Sequence, residues 1–301
     1  MHASSVCSFC ARARQSAGKN NPQRLHVKYL SLIIMKMNQI NFQSWLAGVV
    51  DGDGNFDFRR NTLKAIRIKI HIRDVKILKV IQNQTHMGRI RYVPNTNYVL
   101  FIISTKVHMT AFLNLINGYM RVKIPNFQRA CKACGLTFTL ARQLVPWDAY
   151  LAGLIDSDGW VSLNYEQNCI VVGVELNMSP AVEDLNFDYV IPYAKPNMFV
   201  RVTASGKKSL RVIYQSVHGM SAVYDYFLKR RLVSDFKFRR VLSIKKFLNL
   251  RHYKTCAHGS VEQQIYSRFC VNFLSYQNPT WTKVPMVGKL DKDIVHKLTR
   301  S

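Results

Sequence analysis

Acidic residues are scarce in this chain of 301 residues, which carries 17 Asp and Glu against 43 Lys and Arg. The resulting formal net charge of +26 indicates a polyanionic partner, with nucleic acid ahead of an acidic membrane surface. Long apolar runs are also missing, since none approaches the roughly 20 residues that a membrane span requires. Glycine and proline number only 14 and 9, which excludes collagen-like chains, and 48% hydrophobic residues exclude general disorder.

The cysteines fit a reducing compartment rather than a disulfide scaffold. There are seven, an odd number, in a chain that is not small, and no secretory signal with a cleavage site is visible. Two pairs have the CxxC spacing, Cys7/Cys10 and Cys131/Cys134, but neither has histidines clustered beside it. We therefore expect buried or idle thiols instead of a zinc site.

The most informative feature is an internal repeat. Trp45–Phe56 reads WLAGVVDGDGNF, and Tyr150–Val161 reads YLAGLIDSDGWV. Both copies have the same order of residue types: an aromatic residue, Leu-Ala-Gly, two aliphatic residues, Asp, a small residue, Asp and Gly. Such a repeat predicts two structurally equivalent halves. After the first copy Ile66, Ile68 and Ile70 alternate with polar residues, which predicts a strand with one buried face.

The pattern around both copies predicts an α+β fold. We expect two pseudo-symmetric αββαββα halves, each with an antiparallel sheet whose uncovered face is polar and basic. The expected divisions are a basic N-terminal extension (1–40), the first half (41–143), the second half (144–255) and a C-terminal extension of unknown role (256–301). Residues 1–40 contain no acidic residue and no sustained period, so we expect a disordered or transit-like segment.

Small residues recur at the same two positions of both predicted motif helices. They are Ala47 and Gly48 in the first copy and Ala152 and Gly153 in the second. Glycine inside a helix costs about 1 kcal/mol relative to alanine, so a single glycine would be compatible with a generic amphipathic helix. Its recurrence instead favours a close approach of the two helix backbones at a pseudo-twofold axis.

Each predicted helix ends in two aspartates separated by one small residue. They are Asp51 and Asp53 in the first copy and Asp156 and Asp158 in the second. A helix C-terminus carries negative partial charge, so acids there are unfavourable unless cations balance them. If the helices pair, Asp53 and Asp158 converge, and divalent cations held by them suit metal-assisted phosphodiester hydrolysis. The alternative is a plain turn role, which we expect for Asp51 and Asp156 only.

The two segments resemble the motifs of the double-motif LAGLIDADG homing endonucleases, which are encoded in introns of organelle and microbial genomes. The resemblance covers about residues 41–255. It implies a DNA-binding saddle of two antiparallel sheets that straddles double-stranded DNA and reads a long pseudo-palindromic site in the major groove. It also implies that Asp53 and Asp158, with Gly52 and Ser157, bind Mg²⁺. Mn²⁺ would substitute, and Ca²⁺ would allow binding without cleavage.

The resemblance further implies a basic residue near each active site. Lys123 in the first half and Lys237 in the second are the candidates, either to stabilise transition-state charge or to orient the attacking water. The alternative for both is an ordinary phosphate contact or a solvated charge. His71 and Asn177 end matching predicted strands and are candidates for positioning water, although His71 is also a candidate for DNA contact.

The polar faces of the predicted strands are the expected base-reading surface, because Arg, Asn and acidic side chains pair with different base edges. The candidates in the first half are Asn55, Asp57, Arg59, Arg67, Lys69, Arg89 and Arg91, and those in the second are Trp160, Ser162, Asn164, Glu175, Arg201 and Arg211. The second half offers fewer basic positions, so we expect the two half-sites to be read unequally.

The sequence thus predicts a monomeric, Mg²⁺-dependent, site-specific DNA endonuclease that promotes intron homing. We expect it in an organelle, the mitochondrion ahead of the chloroplast, and away from membranes. The alternative is an intron RNA maturase, with or without cleavage activity, whose partner is the host intron RNA. A third possibility is a DNA-binding regulator without cleavage. Intact acids in both copies favour cleavage, because an RNA binder has no need for Asp53 and Asp158.

Overall fold

The computed structural model describes residue 38 and residues 41–299. It divides the chain into two compact units, Met1–Phe42 and Gln43–Ser301. The predicted N-terminal extension, with Cys7 and Cys10, lies almost wholly outside the described residues. Apart from residues 41 and 42 at the start of the first helix, the elements that follow belong to the second unit.

The first half contains four strands and four helices. In chain order they are α1 (residues 41–53), β1 (Gly54–Arg59), β2 (Thr62–His71), α2 (Lys76–Thr85), β3 (Arg89–Tyr92), β4 (Tyr98–Ile103), α3 (Lys106–Ile116) and α4 (Ile124–Cys134). The strands form an antiparallel sheet in the order β1-β2-β4-β3. Arg60 and Asn61 join β1 to β2 with φ values of 48° and 65°, which suits a tight two-residue hairpin.

The second half repeats this order. Its elements are α5 (Tyr150–Ser157), β5 (Trp160–Asn164), β6 (Cys169–Asn177), α6 (Pro180–Glu183), β7 (Asn197–Val202), β8 (Lys208–Tyr214), α7 (Val217–Lys229) and α8 (Asp235–Leu250). The sheet order, β5-β6-β8-β7, corresponds to that of the first sheet. The predicted α+β class with two antiparallel sheets is therefore confirmed. Each half ends in two helices, one more than the predicted αββαββα order.

Helix α6 is short and stops at Glu183. The side chain of Asn186 accepts a hydrogen bond from the backbone amide of Asp188 at 2.7 Å. A local side-chain bond of this kind offers the backbone an alternative to the helix and turns the chain away.

The sheets place their apolar residues against the helices. In β2, Ile66, Ile68 and Ile70 are buried, and Arg67 and Lys69 between them are exposed. The alternation has the period of a strand with one buried face. It leaves the polar face of the first sheet free for a ligand.

The C-terminal extension is folded onto the second half. It contains α9 (Val261–Ser275) and α10 (Lys292–Thr299). Phe269 of α9 packs against Phe247 of α8 with ring centroids 5.6 Å apart. Among the described residues, no helix is both long and apolar enough to cross a membrane. Cys131 and Cys134 are free thiols in the last turn of α4.

Candidate active site

Helices α1 and α5 touch backbone to backbone. A β-carbon added at Gly48 would lie 2.8 Å from the amide nitrogen of Leu154 and still closer to the carbonyl oxygen of Tyr150. At Gly153 it would lie 2.8 Å from the carbonyl carbon of Trp45 and closer to its oxygen. Neither position has room for a side chain, so the two glycines permit the contact that their recurrence predicts.

Asp51 anchors the segment that precedes α4. Its carboxylate accepts hydrogen bonds from the backbone amides of Arg121 at 2.7 Å and Lys123 at 2.8 Å. The hydroxyl of Tyr150, from the other motif helix, donates to the same carboxylate at 2.7 Å. Burial raises the pKa of Asp51, and these bonds act in the opposite direction. Asp51 therefore holds the backbone of Lys123 in place, which is more than the turn role expected for it.

Asp156 makes the corresponding bonds in the second half. It accepts from the backbone amides of Val233 at 3.0 Å and Ser234 at 2.9 Å. The indole N–H of Trp45 donates to it at 2.9 Å. Burial raises the pKa of Asp156 to about 6, against the lowering effect of these hydrogen bonds. The segment before α8, which leads to Lys237, is thus anchored as the segment before α4 is.

The two candidate lysines point at the ends of the motif helices. Lys237 is buried and Lys123 half-buried. Their ammonium groups donate to backbone carbonyl oxygens, those of Val50, Gly52 and Gly54 for Lys123 and those of Ile155, Asp156 and Ser157 for Lys237. An ammonium has three donors, so each lysine is fully engaged. The arrangement favours a lysine that supplies positive charge at a helix C-terminus over one that donates to water or phosphate.

Asp53 and Asp158 end the two helices close enough to interact. Asp53 is half-buried and Asp158 is exposed. Burial, and then the negative charge of Asp158, raise the pKa of Asp53 to about 7, while the charges of Lys237 and Lys123 lower it. Desolvation by the surrounding protein also raises the pKa of Asp158, while the charges of Lys123 and Lys237 lower it. Two carboxylates that oppose each other's ionisation create a site where a cation is favourable.

The donor atoms at this point suit a hard divalent cation. Within residues 41–299, no group of three or more His, Cys, Asp or Glu side chains forms a metal cluster. The available oxygens are the carboxylates of Asp53 and Asp158 and the carbonyls of Gly52 and Ser157. Each of these carbonyls accepts one lysine hydrogen bond and retains a second lone pair. An all-oxygen set of this kind fits Mg²⁺, Mn²⁺ or Ca²⁺ with water completing the coordination.

Asp74 is a third carboxylate at the site, and the sequence did not single it out. It is buried at the end of a short 3₁₀ turn, Ile72–Asp74, and accepts a hydrogen bond from the hydroxyl of Ser234. Its charge raises the pKa of both Lys237 and Asp53. The Ser234 partner lies 160 residues away in sequence, so no local pattern marks this residue.

The structure gives His71 and Asn177 contacts of a structural kind. His71 Nδ1 accepts from the backbone amide of Arg73 at 3.1 Å, and its ring meets Tyr98 edge-on at 6.3 Å between centroids. Asn177 is exposed at the end of β6, paired across the ladder with Ser209. Both residues end their strands as the sequence predicts, and a role in positioning water stays a prediction.

The candidate base-reading residues of the first half lie on the exposed face of the first sheet. Asp57 pairs with Arg67 at 2.8 Å and accepts from the side-chain amide of Asn55 at 2.7 Å. The register places Arg89 and Arg91 on the same face. This face carries the cations Arg59, Arg67, Lys69, Arg89 and Arg91. The face is therefore strongly basic, and Asp57 is the one acid among the candidate base-reading residues of the first half.

The second sheet presents a less basic face. Glu175 lies 3.0 Å from Arg211 and 3.6 Å from Arg201, and it accepts from the hydroxyl of Ser209 at 2.6 Å. The guanidinium of Arg211 also lies 5.0 Å from the ring centroid of Trp160. A groove of about 430 Å³ follows this face. It is lined by the candidates Trp160, Ser162, Asn164 and Arg211 and by residues the sequence did not select, Gln167, Val171, Asn197, Phe199, Ile213 and Gln215.

Comparison with known proteins finds similarity to intron-encoded proteins. The family model described as LAGLIDADG endonuclease matches residues 46–134. The chain is 28% identical over 134 residues to the intron-encoded RNA maturase bI4 of Saccharomyces cerevisiae, across 44% of this chain and 21% of that protein. It is 21% identical over 244 residues to the intron-encoded DNA endonuclease ai2a of Dictyostelium discoideum, across 78% of this chain and 76% of that one. The matched region thus spans only about a fifth of the maturase.

A solved structure shares the fold. The LAGLIDADG homing endonuclease I-GzeII, crystallised in complex with a DNA target, superposes with a TM-score of 0.52 over 78% of this chain and 99% of that one. At 10% identity, this likeness concerns the fold alone. The duplicated motif, the paired helices and the family match make this chain similar to the LAGLIDADG homing endonucleases.

Proposed function

We propose that this protein is a site-specific double-strand DNA endonuclease that hydrolyses phosphodiester bonds with a divalent metal and promotes homing of its intron. The observation that carries the proposal is the meeting of Asp53 and Asp158 at the ends of two helices in backbone contact. A buried or half-buried lysine lies beside each helix end. One chain supplies both motifs, so a monomer suffices for the site.

The exposed faces of the two sheets support DNA as the substrate. The first face carries five candidate cations, which suit phosphates and guanine edges. The second face adds Arg201 and Arg211, both paired with Glu175, together with amide and aromatic side chains. Two different faces suit a pseudo-palindromic site whose halves are read unequally.

Each part of the candidate site has a distinct task in hydrolysis. A bound divalent cation would neutralise charge on the attacking and leaving oxygens of the phosphodiester. Asp53 and Asp158 would hold it, with the carbonyl oxygens of Gly52 and Ser157. Lys123 and Lys237 keep positive charge near the reacting phosphate and hold the helix ends that carry the two acids.

The direct test uses a duplex that contains the intronless exon junction of the gene carrying this reading frame. Purified protein should cut both strands there with Mg²⁺ or Mn²⁺ and bind without cutting in Ca²⁺. Asp53→Asn and Asp158→Asn should each slow cutting by at least about 100-fold while Ca²⁺-supported binding persists. Asp293→Asn, an exposed acid on α10, is the control. Cutting by Asp53→Asn at the wild-type rate would contradict the metal assignment.

A second candidate function is assistance of intron RNA splicing. It is favoured by the similarity to a yeast protein named as an RNA maturase, although relatives named as DNA endonucleases match as well. Splicing of the host intron in vitro, with wild type and Asp53→Asn, separates the activities. Splicing that survives this substitution would establish a maturase role independent of cleavage. The intron-encoded relatives favour action in an organelle, with the mitochondrion ahead of the chloroplast.

A further inference from the structure

The C-terminal extension contacts the turn between β5 and β6. We call residues 251–289 the C-terminal brace; it joins the last five residues of the second half, the 3₁₀ turn Arg251–Thr255, to helix α9 and the following part of the C-terminal extension. The turn it reaches, residues 165–168, joins two strands whose exposed face lines the groove of the second sheet. The brace has no counterpart in the repeat pattern, so its role concerns one half only.

Lys254 of the brace holds the beginning of the turn. Its ammonium donates to the carbonyl oxygens of Tyr165 at 2.5 Å and Glu166 at 3.1 Å. It also lies 4.4 Å from the centroid of the Tyr165 ring, within cation–π distance. Lys289 forms an ion pair with Glu166. These contacts fix the backbone of the turn from outside the sheet.

The end of the turn is held as well. Asn168 adopts a left-handed conformation, φ 49°, which a non-glycine residue keeps only when its surroundings support it. Its side-chain amide donates to the carbonyl oxygen of Arg251 at 2.9 Å, and the hydroxyl of Tyr266 donates to its side-chain oxygen at 3.1 Å. The brace therefore supports the one strained residue of this turn.

The anchored turn orients two amide side chains in the groove. Asn164 donates to the side-chain oxygen of Gln167 at 3.0 Å, and the backbone amide of Gln167 donates back to Asn164 at 3.1 Å. Both side chains line the groove on the exposed face of the second sheet. Amides of this kind can pair with adenine edges, and ordering them before binding lowers the entropic cost of recognition.

The corresponding turn of the first half is held differently. Arg129 of α4 donates to the side-chain oxygen of Asn61 at 2.8 Å and lies 4.1 Å from the ring centroid of Phe58. This contact comes from within the half and acts through an exposed side chain. It offers a matched comparison for the brace.

We propose that the C-terminal brace is a positioning element for DNA recognition. By fixing residues 165–168 it holds Asn164 and Gln167 against the outer base pairs of the half-site bound by the second sheet. Discrimination at those base pairs is sharper than at the equivalent pairs under the first sheet. This inference rests on the proposed function, because it concerns how the same protein reads its DNA.

The experiment compares Lys254→Met with wild type in two measurements. The first is binding to every single-base variant of the target in Ca²⁺. For Lys254→Met, the ratio of affinities for the correct and the changed base should fall by about tenfold at the outer base pairs of one half-site. Arg211→Ala identifies which half-site the second sheet contacts. Hydrogen exchange of the free protein should show faster exchange at residues 165–168, with the amides of β2 unchanged. Tyr266→Phe, which removes the bond to Asn168 together with a contact to Cys270 inside α9, should give a smaller change of the same kind.

Two variants serve as controls. Lys246→Met makes the same substitution at an exposed position of α8 and should leave the base profile unchanged. Arg129→Met should loosen discrimination under the first sheet instead. The inference is overturned if Lys254→Met has the same base discrimination as wild type on DNA that the wild type cuts. It is also overturned if discrimination falls evenly over both half-sites. Neither result contradicts the proposed nuclease function. Unchanged exchange at residues 165–168 overturns it whether or not DNA is bound.

Discussion

Trp45 donates its indole N–H to the carboxylate of Asp156 at 2.9 Å, across 111 residues of sequence. Tyr150, at the same position of the second motif, donates to Asp51 at 2.7 Å. Each motif therefore bonds to the first acid of the other copy. Because those acids hold the segments before α4 and α8, the placement of each candidate lysine depends on an aromatic residue from the opposite half.

Removing the hydroxyl of Tyr150 tests the hydrogen bond between the two motifs. Tyr150→Phe leaves Asp51 buried with one hydrogen bond fewer, so we expect the free energy of unfolding to fall by about 1–3 kcal/mol. Urea titration measures it. Tyr193→Phe, at a side chain that is 93% exposed, should stay within about 0.5 kcal/mol of wild type. Equal effects of the two substitutions would show that the cross-motif bond contributes nothing.

The contact between α1 and α5 is tested by whether a glycine-to-alanine substitution raises or lowers stability. Alanine normally stabilises a helix relative to glycine by about 1 kcal/mol. Gly153→Ala should instead lower the melting temperature sharply, because its β-carbon meets the backbone of Trp45. Gly288→Ala, where a β-carbon has nothing within 4 Å, is the control. A Gly153→Ala protein as stable as wild type would mean that α1 and α5 do not touch as described.

The sequence predicts those features that depend on short spacings or on the repeat. The alternation through Ile66 and Ile68 predicts β2, and recurring Gly48 and Gly153 predict paired helices, because each signal is local or duplicated. Asp74 was missed because its partner Ser234 lies in the other half. The full engagement of the lysine donors was missed for the same reason, since their carbonyl acceptors lie more than 60 residues away in sequence, such as Gly54, 69 residues before Lys123.

The raised pKa of Asp53 predicts that the free energy of unfolding falls as the pH rises. Its value of about 7 in the folded protein exceeds the ordinary 3.8, so the folded state retains a proton that the unfolded chain releases. Stability from this group is complete at low pH and is lost as pH rises toward about 7. Asp53→Asn should therefore melt higher than wild type at pH 8 without metal, and the difference should vanish near pH 4. Calorimetry at both pH values measures it.

Added Mg²⁺ distinguishes stabilisation by metal binding from the effect of removing the Asp53 charge. At pH 8 it should raise the melting temperature of wild type more than that of Asp53→Asn, because a ligand that binds only the folded state stabilises it. Equal shifts in both proteins would argue against metal binding at this carboxylate.

Asp74 predicts a functional asymmetry between the two halves. Its charge is the largest of those that favour the protonated form of Lys237, and Lys237 contacts the carbonyl oxygen preceding Asp158. Asp74→Asn should therefore slow hydrolysis of one strand more than the other, so that nicked plasmid accumulates before linear product. Strand-labelled duplexes measure both rates. Asp235→Asn removes an exposed neighbouring acid and should leave the ratio of the two rates unchanged.

Glu175 should restrain the arginines of the second sheet rather than contact DNA by itself. It lies 3.0 Å from Arg211 and 3.6 Å from Arg201, so its charge holds both guanidinium groups in one arrangement. Glu175→Gln removes a negative charge and loosens both arginines. Affinity for non-specific duplex should therefore rise, while discrimination against single-base changes falls by about tenfold. Titrations of specific and random duplexes at several salt concentrations measure the two quantities, with Glu262→Gln on α9 as the control. A variant whose non-specific affinity and discrimination both fall would mean that Glu175 contacts a base directly.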